Sequence, residues 1–199
     1  MIVVFKGIEN SQVLVFDAEY SEGYTIQFAG MLFRKIEKNT FQIEKSLNVY
    51  IRLPEGIEVN RFIRDFTGIT DSYLDTFGVD LKNAKEMIGE FATVPEHDLL
   101  VISHGLTNDR RTLMNAEINL YHDLDGKEIQ GLCTYNAAKR LLKREKRLRL
   151  EDVAADAGVF LGNTHNAFDD MWATVSVFSL LRKLEEEQKR EKLLQSRED

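Results

Sequence analysis

The nine residues QVLVFDAEY at positions 12–20 constrain this chain more than any other stretch. VLVF reads as a strand covered on both faces, and the Ser21-Glu22-Gly23 that follows Tyr20 reads as a turn. Asp17 and Glu19 flank Ala18 at the strand's end, so they project from one face, with α-carbons ~6.7 Å apart. Two carboxylates held that close repel unless a cation lies between them, and a hard divalent ion takes oxygen ligands. Acidic residues number 33 among 199, which yields roughly five acid-x-acid pairs by composition alone. The apolar run in front of this pair, rather than its spacing, is what marks it.

Around that strand the pattern is α/β. Residues 24–37 and 40–52, rich in Thr, Ile, Phe, Val and Tyr, form a predicted hairpin about Lys38-Asn39, and the opening MIVVFKG is a candidate edge strand. A short helix is expected near Val59–Phe66, between Pro54/Gly56 and Gly68. A second is expected over Leu81–Thr93, with Asp80 as N-cap and Pro95 as stop. DLLVIS at 98–103 is a buried strand, followed by a helix to about Ala116 with Thr107 or Asn108 as its cap. Helices are then expected over Leu132–Lys146, Leu150–Ala157 and from Ala167 past Leu184, where Phe168, Trp172, Val175 and Leu181 make an apolar stripe read as core. Three strands followed by helices around a buried strand predict layers about a mixed sheet, with residues 1–184 as one domain and 185–199 as a charged helical tail.

Composition narrows the function classes. The net charge is −7, whereas a protein that coats nucleic acid by neutralising phosphates is usually basic. An enzyme that grips one strand end through metal ions has no such need. Cys133 is the one cysteine, which excludes an intramolecular disulfide scaffold. No apolar run reaches the ~18–20 residues that span a bilayer, and MIVVF before Lys6 is too short for a signal peptide. A cytoplasmic protein without membrane contact is expected.

Two further sites hold acids in suggestive places. Asp109 follows the DLLVIS strand at a helix start, where helix-dipole complementation is by itself the more common reason for an Asp. In NTHNAFDD, Asn166 is a candidate N-cap, which puts Asp169 at N3 and leaves Asp170 free to point elsewhere, with His165 in the loop before the helix. His104 and Asp109 share the same His-x4-Asp spacing, so spacing does not choose between the two histidines.

The order of these pieces, FDAEY, then ISHGLTND, then HNAFDD, resembles the histidine-bearing (DEDDh) branch of the DEDD 3′–5′ exonuclease superfamily. FTGIT at 66–70 and LEDVAADAG at 150–158 are similar too, so the likeness covers about residues 12–181. The chain differs from the family in Tyr20, where Thr is common, and in His104-Gly105 and Asn108-Asp109, where His-Asn and Phe-Asp are common. The resemblance implies a ribonuclease H-like, three-layer α/β/α fold. It implies a two-metal-ion exonuclease using Mg²⁺ or Mn²⁺ on the 3′ end of single-stranded DNA or RNA and releasing nucleoside 5′-monophosphates. By similarity Asp17 bridges both ions, Glu19 and Asp170 complete the one holding the nucleophilic water, Asp109 holds the other, and His165 is the general base. His104 is assigned to structure.

Substrate contacts are expected from Tyr20 and from the basic stretch 139–149, Lys139, Arg140, Lys143 and Arg144 among it, as a phosphate-tracking surface. The alternative is a catalytically silent nucleic-acid-binding or polymerase-associated module on the same fold. The tail from Arg182 offers a surface for a second copy, so a homodimer or a polymerase subunit is the partner to test.

Overall fold

The computed structural model describes residues 1–93, 98–120, 128–143, 148–160 and 165–196. A six-stranded mixed sheet runs through it, built from β1 (Ile2–Val4), β2 (Gln12–Ser21), β3 (Tyr24–Glu37), β4 (Thr40–Tyr50), β5 (Leu99–Ser103) and β6 (Gln130–Cys133) in the order β1-β4-β3-β2-β5-β6. The predicted hairpin is β3–β4, turning at Asn39 with φ 63°, and the opening segment is the edge strand against β4. The helices are α1 (Arg61–Thr67), α2 (Asp71–Phe77), α3 (Leu81–Ala92), α4 (Leu106–Asn115), α5 (Thr134–Leu141), α6 (Leu150–Asp156) and α7 (Ala167–Gln195). The fold is ribonuclease H-like, as expected.

Alternation along β2 sorts the layers. Leu14, Phe16 and Ala18 pack against Ala84, Ile88 and Phe91 of α3 and Leu113 of α4. Val13 and Val15 face the other way, onto Ala167, Met171, Val175 and Phe178 of α7. Asp17 and Glu19 continue this second set, so the period of two delivers both carboxylates to the α7 side. Helices α5 and α6 back α7 through Ala138, Leu141, Val153, Ala154, Ala173, Val177 and Leu181. The stripe read as core packs as expected, with Phe168 and Trp172 partly buried at its edge.

β2 outlasts its parallel neighbour. The β2–β5 register ends at Val15↔Ile102, and β5 stops at Ser103. Asp17 and Glu19 therefore project into the crevice beyond the carboxyl ends of the parallel strands, where β2 has an antiparallel neighbour on one side and a parallel one on the other. Open α/β sheets place their ligand sites at such switch points. Directly after Glu19 the β2–β3 register shifts, leaving Ile26 unpaired, and Ile26 turns into a small cluster with Val59, Ile69 and Leu74. That bulge seats α1 and α2 at the rim of the crevice.

Several boundaries differ from expectation. Helix α2, capped by the Thr70 hydroxyl accepting from the Tyr73 amide, was not anticipated. Leu132 and Cys133 belong to β6 rather than to a helix, because they extend the sheet beside β5, and α5 starts only at Thr134. Gly131 permits this strand, since a Cβ there would lie 3.0 Å from Leu106 Cδ2. Helix α4 starts at Leu106 with Gly105 as N-cap and no side-chain cap, not at Thr107 or Asn108. The Asp109 carboxylate already lies over the cap, with Oδ1 3.5 Å from where a Gly105 Cβ would be. Pro95 and Arg144 lie outside the described residues.

One packing contact gives a direct test. Phe91 of α3 packs against Gly30 in the middle of β3, and a Cβ at Gly30 would fall 2.7 Å from Phe91 Cε1 and 3.1 Å from Phe28 Cε1. Overpacking of this kind costs about 1–3 kcal/mol. Gly30→Ala is expected to lower the thermal midpoint by several degrees, at about 2–4 °C per kcal/mol for a chain of this size. An unchanged melting curve would contradict this packing.

Candidate active site

Three elements from opposite ends of the chain supply the acids. Asp17 and Glu19 come from β2, Asp109 from the first turn of α4, and Asp170 from the first turn of α7. One carboxylate oxygen from each of Asp17, Glu19 and Asp170 lies within 4.8 Å of the others. Asp109 stands beside them, close enough for its charge to act on Asp17 and Glu19. The Asp170 side chain is held by its own loop, since Oδ2 accepts the His165 backbone N–H at 3.3 Å. Asn166 caps α7 as expected, accepting from the Phe168 amide at 3.0 Å.

Burial without counter-charge dominates the electrostatics. Desolvation, then the charges of Asp109, Glu19 and Asp170, hold the Asp17 carboxyl well above its usual range. Glu19 is pushed to about 7 by desolvation and by Asp170 and Asp109. Burial lifts Asp170 to about 6. Burial also raises Asp109, by more than the neighbouring Ser103 hydroxyl and Gly105 amide lower it. Asp109 Oδ2 and Asp170 Oδ1 are buried with no hydrogen-bond partner among the described residues. Buried polar atoms are normally satisfied, and a divalent cation would satisfy these two oxygens. An all-carboxylate oxygen set suits a hard divalent cation rather than a softer metal.

The other expected residues are placed differently. The His165 ring stacks on Phe66, with centroids 3.3 Å apart and planes at 20°, rather than joining the three clustered acids. Its backbone is left-handed, with φ 75°, a conformation that bends the chain sharply into α7 and costs about 1 kcal/mol for a non-glycine residue. Burial lowers its pKa, which keeps the imidazole neutral. Tyr20 is half-exposed at the rim, and burial together with the charges of Asp109 and Glu19 keeps its phenol protonated. His104 is internal, with Nδ1 2.9 Å from Thr134 Oγ1, its ring edge-on to Tyr135 and a pKa pushed to about 4 by burial.

The basic stretch lies elsewhere. Arg140 Nη2 donates to Glu185 Oε1 at 3.1 Å. Glu185 is fifteen residues beyond Asp170 on α7, about 22 Å along the helix. Lys139 shares the last turn of α5 with Arg140, and Lys143 follows it.

The sequence reading did not single out Phe66 and Phe62 as functional. Phe62 and Phe66 stack at 5.4 Å and 20°, and Phe66 continues the stack to His165. Helix α1 buries none of its residues, and Phe62 is 68% exposed. Two large aromatics four residues apart on a helix bearing Arg61 and Arg64 were the available signal.

The exonuclease (RNase T) family profile matches residues 16–178, from the residue before Asp17 to beyond Asp170. The chain belongs to the exonuclease family. A search of curated proteins finds no match by sequence. Among solved structures, this family member resembles E. coli exonuclease I in complex with a dT13 oligonucleotide, with a TM-score of 0.72 and 17% identity, over 90% of this chain and 43% of that one. It also resembles a 3′-exonuclease in a structure of 3′-end-specific recognition of a histone mRNA stem-loop, at TM-score 0.63 and 16% identity, over 89% and 83% of the two chains. A cell-death-related nuclease matches at TM-score 0.66 and 16% identity, over 88% and 64%. The chain spans less than half the length of the exonuclease I structures it matches. At these identities the likeness speaks for the fold. No helix among the described residues is long and apolar enough to cross a membrane.

Proposed function

We propose that this chain is a metal-dependent 3′–5′ exonuclease that hydrolyses the terminal phosphodiester of single-stranded DNA or RNA and releases nucleoside 5′-monophosphates. The supporting observation is the convergence of Asp17, Glu19 and Asp170 within 4.8 Å, with Asp109 beside them, in the crevice beyond the ends of β2 and β5. Two bound Mg²⁺ or Mn²⁺ ions would supply charge to both the attacking and the leaving oxygen of an in-line displacement. In this reading Asp17, Glu19 and Asp170 would hold the ion that activates the attacking water, Asp17 and Asp109 would hold the second, and His165 would take the proton from that water. Its lowered pKa leaves the ring ready to accept one. Its ring now rests on Phe66 and reaches the site by rotation about its side-chain bonds, from a backbone already bonded to Asp170.

Substrate handling follows from the rim. Unstacked bases near the 3′ end stack on Phe66 and Phe62, which selects single strands because a base inside a duplex has both faces covered by its stacked neighbours. Tyr20 lies against the terminal nucleotide. Lys139, Arg140 and Lys143, a helix length from the acids, serve the strand upstream of the cut, and Arg144 of the same stretch lies outside the described residues. With its single cysteine the chain suits the cytoplasm. Residues 185–199, anchored at their start by Arg140 and Arg182 on Glu185, offer their outer part to a second copy or a polymerase subunit.

The test is a time course with Mg²⁺ or Mn²⁺ on 5′-labelled single-stranded DNA, single-stranded RNA and duplexes, with chromatography of the released mononucleotide. Stepwise shortening of single strands from the 3′ end is the expected result, and oligonucleotide that binds but stays full length would mark a silent binding module. Base stacking is worth ~1–3 kcal/mol per base. Phe66→Ala is therefore expected to weaken oligonucleotide binding about tenfold, read by fluorescence anisotropy with Ca²⁺ in place of Mg²⁺. Unchanged affinity would remove Phe66 from the strand path.

A further inference from the structure

We infer that Gln27 is a positioning residue that sets the distance between the metal donors of β2 and the metal donor of α7. The inference rests on the nuclease reading above. Gln27 is fully buried, lies on β3 directly across from Glu19, and sits in an otherwise apolar run. Its amide spans three elements. Oε1 accepts the Ala167 backbone N–H, the first residue of α7, at 3.2 Å. Nε2 donates to Asn48 Oδ1 on β4 at 3.0 Å and to Asn166 Oδ1 at 3.5 Å. The Ala167 amide can only donate, so it fixes which end of the Gln27 amide is oxygen, and the nitrogen must then face the two asparagine oxygens.

Asn166 carries this outward. Its Oδ1 also accepts the Phe168 amide, its Nδ2 donates to the Tyr50 hydroxyl at 3.5 Å, and its carbonyl accepts the Asp170 amide at 2.9 Å. The first turn of α7, which bears Asp170, is thus tied to Gln27, the residue paired with Glu19. None of these bonds reaches a metal ligand's oxygen. They set where the turn sits, and with it the gap between the Glu19 and Asp170 carboxylates. Groups that bond a metal ligand directly typically cost about 10–100-fold in metal affinity or activity when removed, and Gln27, which acts one bond further out, is expected at the lower end of that range.

The test compares Gln27→Met, which keeps length and apolar volume but loses all three bonds, with Gln12→Met. Gln12 is also buried and donates to Glu44 Oε2 at 3.0 Å, but it sits at the opposite end of β2 from the acids. Both variants lower the thermal midpoint in EDTA. Only Gln27→Met is expected to weaken Mn²⁺ binding, read by electron paramagnetic resonance titration, by about tenfold, and to lower kcat by a similar factor with KM within twofold. Asn48→Ala, an exposed substitution that releases the Gln27 amide nitrogen without emptying the core, is expected to give a smaller loss in the same direction and serves if Gln27→Met does not fold. Mn²⁺ affinity and kcat within twofold of wild type in Gln27→Met, or in Asn48→Ala where Gln27→Met does not fold, overturn the inference and leave the nuclease reading standing. A wild-type chain that binds no Mn²⁺ removes both.

Discussion

Asp17→Asn is expected to abolish hydrolysis while making the metal-free protein more stable. The substitution is nearly isosteric, so the packing of β2 between α3 and α7 is untouched. What it removes is the carboxylate that burial and three neighbouring acids disfavour most strongly. With chelator at neutral pH that charge is a liability, and removing it raises the thermal midpoint. In the proposed mechanism the same charge would be the shared metal ligand, and losing it would forfeit several kcal/mol of transition-state stabilisation, about 10³-fold in rate at ~1.4 kcal/mol per decade. Gel assays of 5′-labelled oligonucleotide and melting curves in EDTA measure the two effects separately. An Asn variant that is less stable yet still active would contradict the assignment. A merely structural aspartate would lose stability and activity together.

The second large effect is a pH dependence that metal reverses. Glu19 moves from a reference of 4.5 to about 7, and Asp170 from 3.8 to about 6. Both folded values lie above the unfolded ones. Each group therefore adds stability that is complete below its unfolded pKa and is lost as pH rises through the folded one. In EDTA the contribution of these groups should be complete below about pH 4 and be lost progressively between about pH 4 and pH 7. At ~1.36 kcal/mol per unit the loss is at most about 3 kcal/mol from each, and less than the sum because they share neighbours. Divalent ions bind the deprotonated set in the folded chain alone, adding about 2.7 kcal/mol at a hundred times Kd. The difference in thermal midpoint between 1 mM Mn²⁺ and EDTA should widen steadily from pH 5 to pH 8, on the order of several degrees. A gap that stays flat with pH would mean that these carboxylates do not bind the ion.

Long apolar runs were legible. β2, the β3–β4 hairpin and β5 announce themselves because their buried faces need continuous or alternating hydrophobic residues. β6 did not, being four residues with a glycine among them, recognisable only by the strand it lies beside. Helix α2 buries Leu74 alone, so its sequence carries almost no periodic signal. The cap of α4 was misplaced because backbone and the Asp109 carboxylate shape that turn, not a capping side chain. At the site, strand alternation was enough to put Asp17 and Glu19 on one face. The convergence of Asp170 upon them rests on a fold that joins residues about 150 positions apart, which spacing cannot show and the family likeness did. Gln27 stayed hidden for the same reason, since its partners in α7 lie 139 and 140 residues away. The basic stretch was visible as composition, but its pairing with Glu185 on α7 was not.

The donor trio draws its first two members from the second strand and its third from the last helix. During synthesis, then, the carboxylates of β2 leave the ribosome long before the partner that completes them. Until residue 170 has emerged and α7 has docked, the nascent polypeptide holds no competent cage. A product truncated upstream of residue 170 lacks the third acid and is expected to be inert.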